Sequence, residues 1–410
     1  MKYEQALDFY QNAEKFRHEP TLERMKALLH ALGDPQKKLR FVHIAGTNGK
    51  GSCAAMLSSI CRRSGWRTGL YTSPHLWEFC ERIQIDGVNI THDDLARLTQ
   101  TIANAAASLP PLNFFERVTA LGLLYFAEQD CDIVIFECGL GGRCDATNVI
   151  ETSEVSVIMP IGLDHTAVLG NTLSQIAGEK AGIIKPGCPV VCAQQEPEAL
   201  AVIEKRCREQ NAPLHMVDIN SIAPLSDSLD GQAFRYRERT LRIALLGTHQ
   251  PENAAAAVEC AQLLGLGDEA IREGLSAARW PCRFEVVEQK PPFILDGAHN
   301  PHGAAALAKG LRRHFPNERF CFIIGCMADK DADGILAALL PLAQCVYCVA
   351  PDSERALDAA ALAARIQTVP AIPCASAAEA IDRARKDQRP VCACGSLYLT
   401  GAIRGQMKKL

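Results

Sequence analysis

Residues 41–63 constrain the fold more than any other stretch of this 410-residue chain. The apolar, β-branched run from Phe41 to Ile44 reads as a buried strand, and a loop holding Gly46, Gly49 and Gly51 follows it. A helical pattern then runs from Cys53 to Arg63. A strand that empties through glycines into a helix N-terminus is a phosphate cradle. Its main-chain N–H groups turn inward and the helix dipole adds positive potential. Lys50 supplies a point charge, and the Ser52 hydroxyl is placed to reach Mg²⁺. The ordinary pattern GxxxxGK(S/T) would need glycine at position 44 and a hydroxyl at 51, where Ile44 and Gly51 stand. The shortened form GTxGKx(S/T) marks a narrower set of ATP-binding loops. A plain glycine-rich turn is the alternative, and it leaves the lysine and the hydroxyl unexplained.

Such a loop belongs in an alternating β/α chain, and alternation is what the sequence shows. Strands are expected at 39–45, 67–72, 132–137, 155–159 and 189–193, with helices at 51–64, 116–129, 172–183 and 197–210. Residues 214–246 are short, mixed and turn-rich, suggesting a small antiparallel patch before helices near 250–265 and 268–278. Glu288-Gln289-Lys290-Pro291-Pro292 reads as a linker, because paired prolines bar a helix. A second series follows at 293–296, 302–314, 319–325, 332–342, 345–350, 355–367, 390–394 and 396–408. The expected fold is α/β. Residues 1–288 form a mostly parallel nucleotide-binding sheet domain with a P-loop, and 289–410 a smaller Rossmann-like domain, with the cleft between them.

Composition excludes several classes. Forty-three basic against 47 acidic residues, a formal net charge of −4, give no bulk field for nucleic acid. No apolar run reaches membrane-spanning length and the first residues lack a signal-peptide core, so a cytoplasmic protein is expected. The eighteen cysteines fall mostly in apolar runs of a large chain, which favours reduced thiols over a disulfide scaffold. Cys345 and Cys348 form a CxxC and Cys392 and Cys394 a CxC, both in strand-like segments without a second pair at zinc spacing. They read as buried structural thiols.

Two further clusters follow expected strands. Asp132–Glu137 ends in a carboxylate and runs into Cys138-Gly139-Leu140-Gly141-Gly142. Glu137 is either a Mg²⁺ ligand or a solvated strand-end residue, and the neighbouring phosphate loop favours the first. His165, in Leu163-Asp164-His165, lies just past the strand ending near Met159 and leaves metal ligation and a structural role equally open. Lys180 and Lys185 by themselves read as a solvated helix face.

These segments resemble the folylpolyglutamate synthase/dihydrofolate synthase family of the Mur ligase superfamily, in its bifunctional bacterial form. The resemblance runs from the amino terminus to Arg404. It rests on AGTNGKGS, TSPHL (72–76), ERI (81–83), FFE (114–116), ECGLGGRCDATN (137–148), LDH (163–165), EKAGI (179–183), HQPENAA (249–255), WPCRF (280–284), LDGAHNP (295–301), GCMADKD (325–331) and CGSLYLTG (394–401), in order.

The resemblance implies a monomeric ATP-dependent ligase. ATP phosphorylates the carboxylate of dihydropteroate or a reduced folate, and the amine of L-glutamate displaces phosphate to form an amide. It implies that Asn48, Gly49, Lys50, Gly51 and Ser52 cradle the phosphates, and that Asn253, Arg283, Asp296 and His299 complete the ATP site. Ser52, Ser73, Glu137 and His165 are implied to hold Mg²⁺, with a second divalent or monovalent cation open. Lys50, Lys180 and His165 are the implied catalytic residues, Lys180 as a carbamate. Asn113, Phe114, Phe115 and Glu116 are implied to meet the pterin from one side, as an aromatic platform and a carboxylate. Cys144, Asp145 and Ala146 face it from the other. Arg82 either meets an anionic substrate group or pairs on the surface, and one of Phe114 and Phe115 is expected to be core packing. Cys282 stands where the family's WPGRF has glycine, beside Arg283. A monofunctional folylpolyglutamate synthase is the alternative. A nucleotide switch, a degenerate scaffold and a cell-wall Mur ligase are less favoured; the last would carry a further domain ahead of the phosphate loop.

Overall fold

The computed structural model describes residues 1–13 and 21–407, so Lys408, at the end of the helix expected over 396–408, lies outside the described residues. The described strands form three sheets. The largest has eight strands in the spatial order Val88–Asn89, Ile83–Ile85, Thr68–Tyr71, Ile133–Glu137, Phe41–Ala45, Val155–Ile158, Val190–Cys192 and Leu214–Met216. Its pairings are parallel from Thr68–Tyr71 onward, and only the short hairpin at the other edge is antiparallel. Phe41–Ala45 and Ile133–Glu137 are buried along their whole length. Strands covered by helices on both faces need mostly apolar residues on both sides rather than at alternate positions, which is why the two read as apolar runs, interrupted only by His43 and ended by Glu137.

One face carries the helices Lys50–Arg63, Gln250–Leu263 and Asp268–Ala277. A three-stranded antiparallel sheet (Ile222–Ser228, Gly231–Tyr236, Arg239–Ile243) packs into the same core through Phe234, Tyr236, Leu241 and Ile243. The other face packs against Tyr3–Gln11, Glu23–Ala31, His92–Ala106 and Phe114–Glu128. Local chemistry fixes the helix starts. The Thr91 side chain accepts from the Asp94 N–H, and Thr172 closes a capping box with Gln175. Each such cap is worth about 1 kcal/mol.

The second main sheet has six strands in the order Glu285–Gln289, Pro292–Leu295, Val391–Cys394, Phe320–Ile324, Ala343–Val349 and Ala371–Cys374, parallel except for the first. The α/β class expected from the alternation is therefore observed. Two expectations are corrected. Residues 288–292 are not a linker: Gln289 pairs with Pro292 and closes a tight hairpin in the second sheet. Prolines bar a helix but not a turn or the first residue of a strand. The sheets change over between Ala277 and Glu285, so the expected boundary after residue 288 falls inside that hairpin. Leu214–Met216 belongs to the edge of the large parallel sheet, and the antiparallel patch begins only at Ile222.

Candidate active site

Four neighbouring strands of the large sheet, Thr68–Tyr71, Ile133–Glu137, Phe41–Ala45 and Val155–Ile158, end on one edge. The segments leaving those ends carry Ser73, Glu137, the phosphate loop and His165. Ile44 and Glu137 are register partners, so the carboxylate stands directly beside the loop. Carboxyl ends of parallel strands are where open α/β sheets hold ligands.

The loop is braced before any ligand arrives. Gly49 adopts φ 83° and caps the helix Lys50–Arg63. A β-carbon there would face left-handed strain and lie 2.5 Å from Asn253 Oδ1. At Gly51 a β-carbon would press on the Trp280 ring at 2.9 Å. Asn253 donates to Gln250 (3.0 Å), and Gln250 donates to the Ser52 hydroxyl (3.3 Å), so the helix Gln250–Leu263 is wired to the loop. Lys50 Nζ donates to the carbonyls of Gly46 (3.1 Å) and Thr47 (3.4 Å). Lys180 Nζ, buried, donates to the same Gly46 carbonyl at 2.8 Å. Two ammonium groups thus converge on one carbonyl. Burial first, and then the Lys50 charge, lower the Lys180 amine to about 7. A solvated helix face is therefore not what Lys180 occupies.

Glu137 is buried and accepts the Ser73 N–H at 3.2 Å. Burial raises its pKa, against the pull of Lys50, the Ser73 N–H and Arg283. It is not a solvated strand-end carboxylate. His165 is left-handed (φ 51°) and starts the short helix Thr166–Leu169, with its pKa lowered chiefly by burial.

The second sheet presents its own strand ends to this edge. Asp296 follows Pro292–Leu295 and accepts the Phe284 and Ala298 N–H groups, both at 2.8 Å. Burial raises its pKa and Arg283 opposes the rise. A β-carbon on Gly297 would collide with the Arg283 guanidinium, which donates to the Cys282 carbonyl at 3.2 Å and whose charge acts on both Asp296 and Glu137. His299 bonds the Gly297 carbonyl through Nδ1 (2.9 Å), and burial takes it down to about 4. Cys282 holds φ 55°, the conformation glycine would take at no cost, and Phe284 holds φ 45°. The backbone around Arg283 therefore keeps its left-handed shape despite the β-carbon, at roughly 1–3 kcal/mol of strain.

Several residues without an assigned role, Asn300, His302, Lys330 and Asp164 among them, help join the two lobes. Asn48 Nδ2 is 3.1 Å from His302 Nδ1, and Asn300 donates to Asn48 Oδ1 at 3.5 Å. Lys330 pairs with Asp164 at 2.5 Å, both largely buried. Burial would raise the Asp164 pKa, but the Lys330 bond and the His165 and Lys330 charges hold it at about 2. On the far side of the cleft, the Leu76 carbonyl bars a β-carbon from Gly401, and Trp77 packs against Gly405. All of these residues except Gly405 lie in or beside a quoted motif, but a motif alone does not say that its members meet across 150 residues or more.

The aromatic corner is less open than expected. Asn113 and Glu116 close a capping box at the start of Phe114–Glu128 (2.8 and 2.9 Å), and Glu116 also pairs with Arg24 at 3.0 Å. Asp145 accepts the N–H groups of Leu140 (2.8 Å) and Thr147 (3.0 Å), and Ala146 is buried. Cys144 stays half-exposed. Phe114 and Phe115 are both partly buried against the same core, Phe114 edge-on to Phe79 and Phe115 edge-on to Tyr71. Surface pairing for Arg82 is overturned. It is buried, donates to His75 Nδ1 at 2.8 Å and lies 5.2 Å from the Phe114 ring centre.

A shortened phosphate loop facing a second α/β lobe across a charged cleft is the plan of the Mur ligases. Residues 44–261 match the Mur ligase middle domain, and residues 282–397 match the Mur ligase glutamate ligase domain. The dihydrofolate synthase/folylpolyglutamate synthase of Bacillus subtilis is 38% identical over 372 residues, 86% of each chain. The Lacticaseibacillus casei folylpolyglutamate synthase is 35% identical over 432 residues, 98% of each. Among solved structures, Escherichia coli FolC in complex with DHPP and ADP superposes with a TM-score of 0.90 at 31% identity, covering 100% of this chain and 98% of that one. Mycobacterium tuberculosis folylpolyglutamate synthase complexed with ADP gives 0.90 at 33% identity, with 98% of each covered. The chain belongs to the dihydrofolate synthase/folylpolyglutamate synthase family of Mur ligases.

Proposed function

We propose that this protein consumes ATP to join L-glutamate to dihydropteroate, to reduced folates, or to both. The observation that carries the reading is the junction at the phosphate loop. Asn48 of the loop is bonded by Asn300 and His302 of the second lobe, and Asp164 by Lys330, so both lobes bear on one anion site.

Lys50 and the N–H groups of Asn48 to Ser52 take the triphosphate, with Asn253, Arg283, Asp296 and His299 contacting the nucleotide from the two lobes. The Lys50 and Arg283 charges neutralise the transferring phosphoryl group as the substrate carboxylate attacks it. The acyl phosphate then meets the glutamate amine. The cross-lobe pairs exclude water, which would otherwise hydrolyse that mixed anhydride. The donor set of Ser52, Ser73, Glu137 and His165 is mainly oxygen and includes a buried carboxylate, which suits Mg²⁺. When bound there, Mg²⁺ supplies further charge neutralisation at the phosphate oxygens. Lys180, with a substantial neutral fraction near pH 7, has the free amine that reaction with CO₂ requires. Arg82, buried beside Phe114, is directed to an anionic group of the pteroate or folate. Phe115, Cys144 and Ala146 line the pterin side, while Asn113, Glu116 and Asp145 hold its walls.

Phosphate release is the test. It should require ATP, Mg²⁺, glutamate and a pteroate or folate together, with the amide product identified by mass. Glu137→Gln should raise the Mg²⁺ needed for half-maximal rate about tenfold or more. Phosphate release indifferent to glutamate would overturn the ligase reading.

A further inference from the structure

A second cluster of chemistry-bearing side chains lies at the opposite end of the second lobe. Cys321 sits at the beginning of Phe320–Ile324, and Cys345 near the beginning of Ala343–Val349. They are register partners on adjacent parallel strands, so their side chains leave the same face of the sheet. Tyr347, two residues on, shares that face. Cys348, three residues on, points to the other, among Phe322 and Cys392. The CxxC spacing therefore never forms one site, and the pairing that does form is invisible in the linear sequence.

Asp387, which caps the helix Ala377–Lys386, brings a carboxylate to the pair. Its Oδ2 lies 3.4 Å from Cys321 Sγ and 3.9 Å from Cys345 Sγ. All three candidate ligand atoms fall within 4.8 Å of one another. Tyr347 donates its hydroxyl to the same Asp387 oxygen at 3.0 Å. With Zn–S of about 2.3 Å and Zn–O of about 2.0 Å, a tetrahedral site has S···S edges near ~3.8 Å and S···O edges near ~3.5 Å. The measured sulfur–oxygen separations bracket that value. Two thiols and one carboxylate form a borderline-soft donor set, which selects Zn²⁺ over Mg²⁺ or Ca²⁺. The Tyr347 bond is the kind of outer hydrogen bond that orients a ligating carboxylate.

We propose that Cys321, Cys345 and Asp387 bind one Zn²⁺ ion, with water as fourth ligand and Tyr347 as the residue that positions Asp387. Binding replaces waters of the hydrated ion with two Zn–S bonds and one Zn–O bond to Asp387, keeps one water as fourth ligand, and releases the displaced waters and the two thiol protons to solvent. The ion ties two strands to the turn that enters the strand Val391–Cys394. It sits at the strand starts, away from the carboxyl ends that face the nucleotide cleft, so its role is to clamp the lobe.

The full-length protein, reduced with a non-chelating phosphine under anaerobic conditions, is titrated with Co²⁺ and then Zn²⁺. One equivalent of Co²⁺ should produce a thiolate-to-cobalt charge-transfer band with tetrahedral d–d absorption, and one equivalent of Zn²⁺ should bleach it. This signature distinguishes the site from the nucleotide cleft, whose proposed metal donors include no sulfur. Cys321→Ser and Cys345→Ser should abolish the band. Asp387→Asn, at an exposed position that leaves the fold intact by circular dichroism, should weaken Co²⁺ binding tenfold or more, and Tyr347→Phe roughly tenfold. Zn²⁺ should raise the melting temperature of the wild type and not of Asp387→Asn. A wild-type protein without the thiolate band, or a band that persists in Cys321→Ser, would overturn the site.

Discussion

The phosphate loop and the aromatic corner lie on the same sheet edge, yet they handle charge in opposite ways. At the loop, two cations converge on main-chain carbonyls: Lys50 and Lys180 both donate to Gly46. At the corner, the carboxylates are already committed. Glu116 closes a cap and pairs with Arg24, and Asp145 is held by the N–H groups of Leu140 and Thr147. Two ammonium groups face the single nearby carboxylate of Glu137, and an anionic ligand adds the remaining counter-charge at the loop. The corner's carboxylates need no ligand to complete them, and Arg82, buried and bonded to His75, is among the described residues the one charge there left for an anionic group.

The largest effect that would break this contrast belongs to Lys50. Lys50→Ala should lower kcat by about 10³-fold with the circular dichroism spectrum unchanged, because one charge directed at the phosphoryl group is lost. A fall of less than tenfold would remove Lys50 from the chemistry. Lys180→Met comes next, at about 10²-fold. It carries a pH signature as well. The folded-state pKa, about 7, is below the ordinary 10.5, so protonating Lys180 costs the folded state its stability. Between about pH 7 and 10.5 the unfolded chain holds the proton that the native state has released, so this group makes stability rise with pH. Urea midpoints measured from pH 7 to 9 in CO₂-free buffer should therefore rise less steeply in Lys180→Met.

The cross-lobe pair sharpens the comparison at a smaller scale. Lys330→Met should reduce kcat/KM about tenfold through looser closure. Asp164, held at about 2 against an ordinary 3.8, contributes stability present above roughly pH 4 and lost as pH falls toward 2. Lys330→Met should erase that acid limb in a pH titration of the melting temperature. The smallest catalytic effect belongs to the wall. Glu116→Gln should leave kcat within about twofold while lowering stability by roughly 1–3 kcal/mol, since a buried partner of Arg24 is neutralised. A kcat collapse without loss of stability would move Glu116 from wall to reactant contact.

Much of this was legible in the chain. The largely apolar runs of Phe41–Ala45 and Ile133–Glu137 gave two central strands, and the Gly46–Ser52 pattern gave the loop between strand and helix. The helix His92–Ala106, the hairpin Ile83–Ile85 with Val88–Asn89, and the strand Ala371–Cys374 were not anticipated. The hairpin and the strand Ala371–Cys374 are short and lie at sheet edges, where periodicity is weak, whereas the helix His92–Ala106 buries Leu95, Leu98 and Ile102 at helical spacing, a signal the chain does carry. The 288–292 hairpin was misread because two prolines state what a segment cannot be, not what pairs with it.

Local chemistry in the sequence determined the phosphate loop, the alternating α/β pattern and which carboxylate ends a buried strand, because each depends on neighbours a few residues apart. Tertiary structure alone decided that Lys180 shares a carbonyl with Lys50, that Arg82 is buried beside Phe114, that Asp164 meets Lys330, and that Cys321 rather than Cys348 lies beside Cys345. Those outcomes depend on strand order, register and the approach of two lobes. No short-range pattern encodes these, because the groups involved lie tens to hundreds of residues apart and meet only when the sheets have formed.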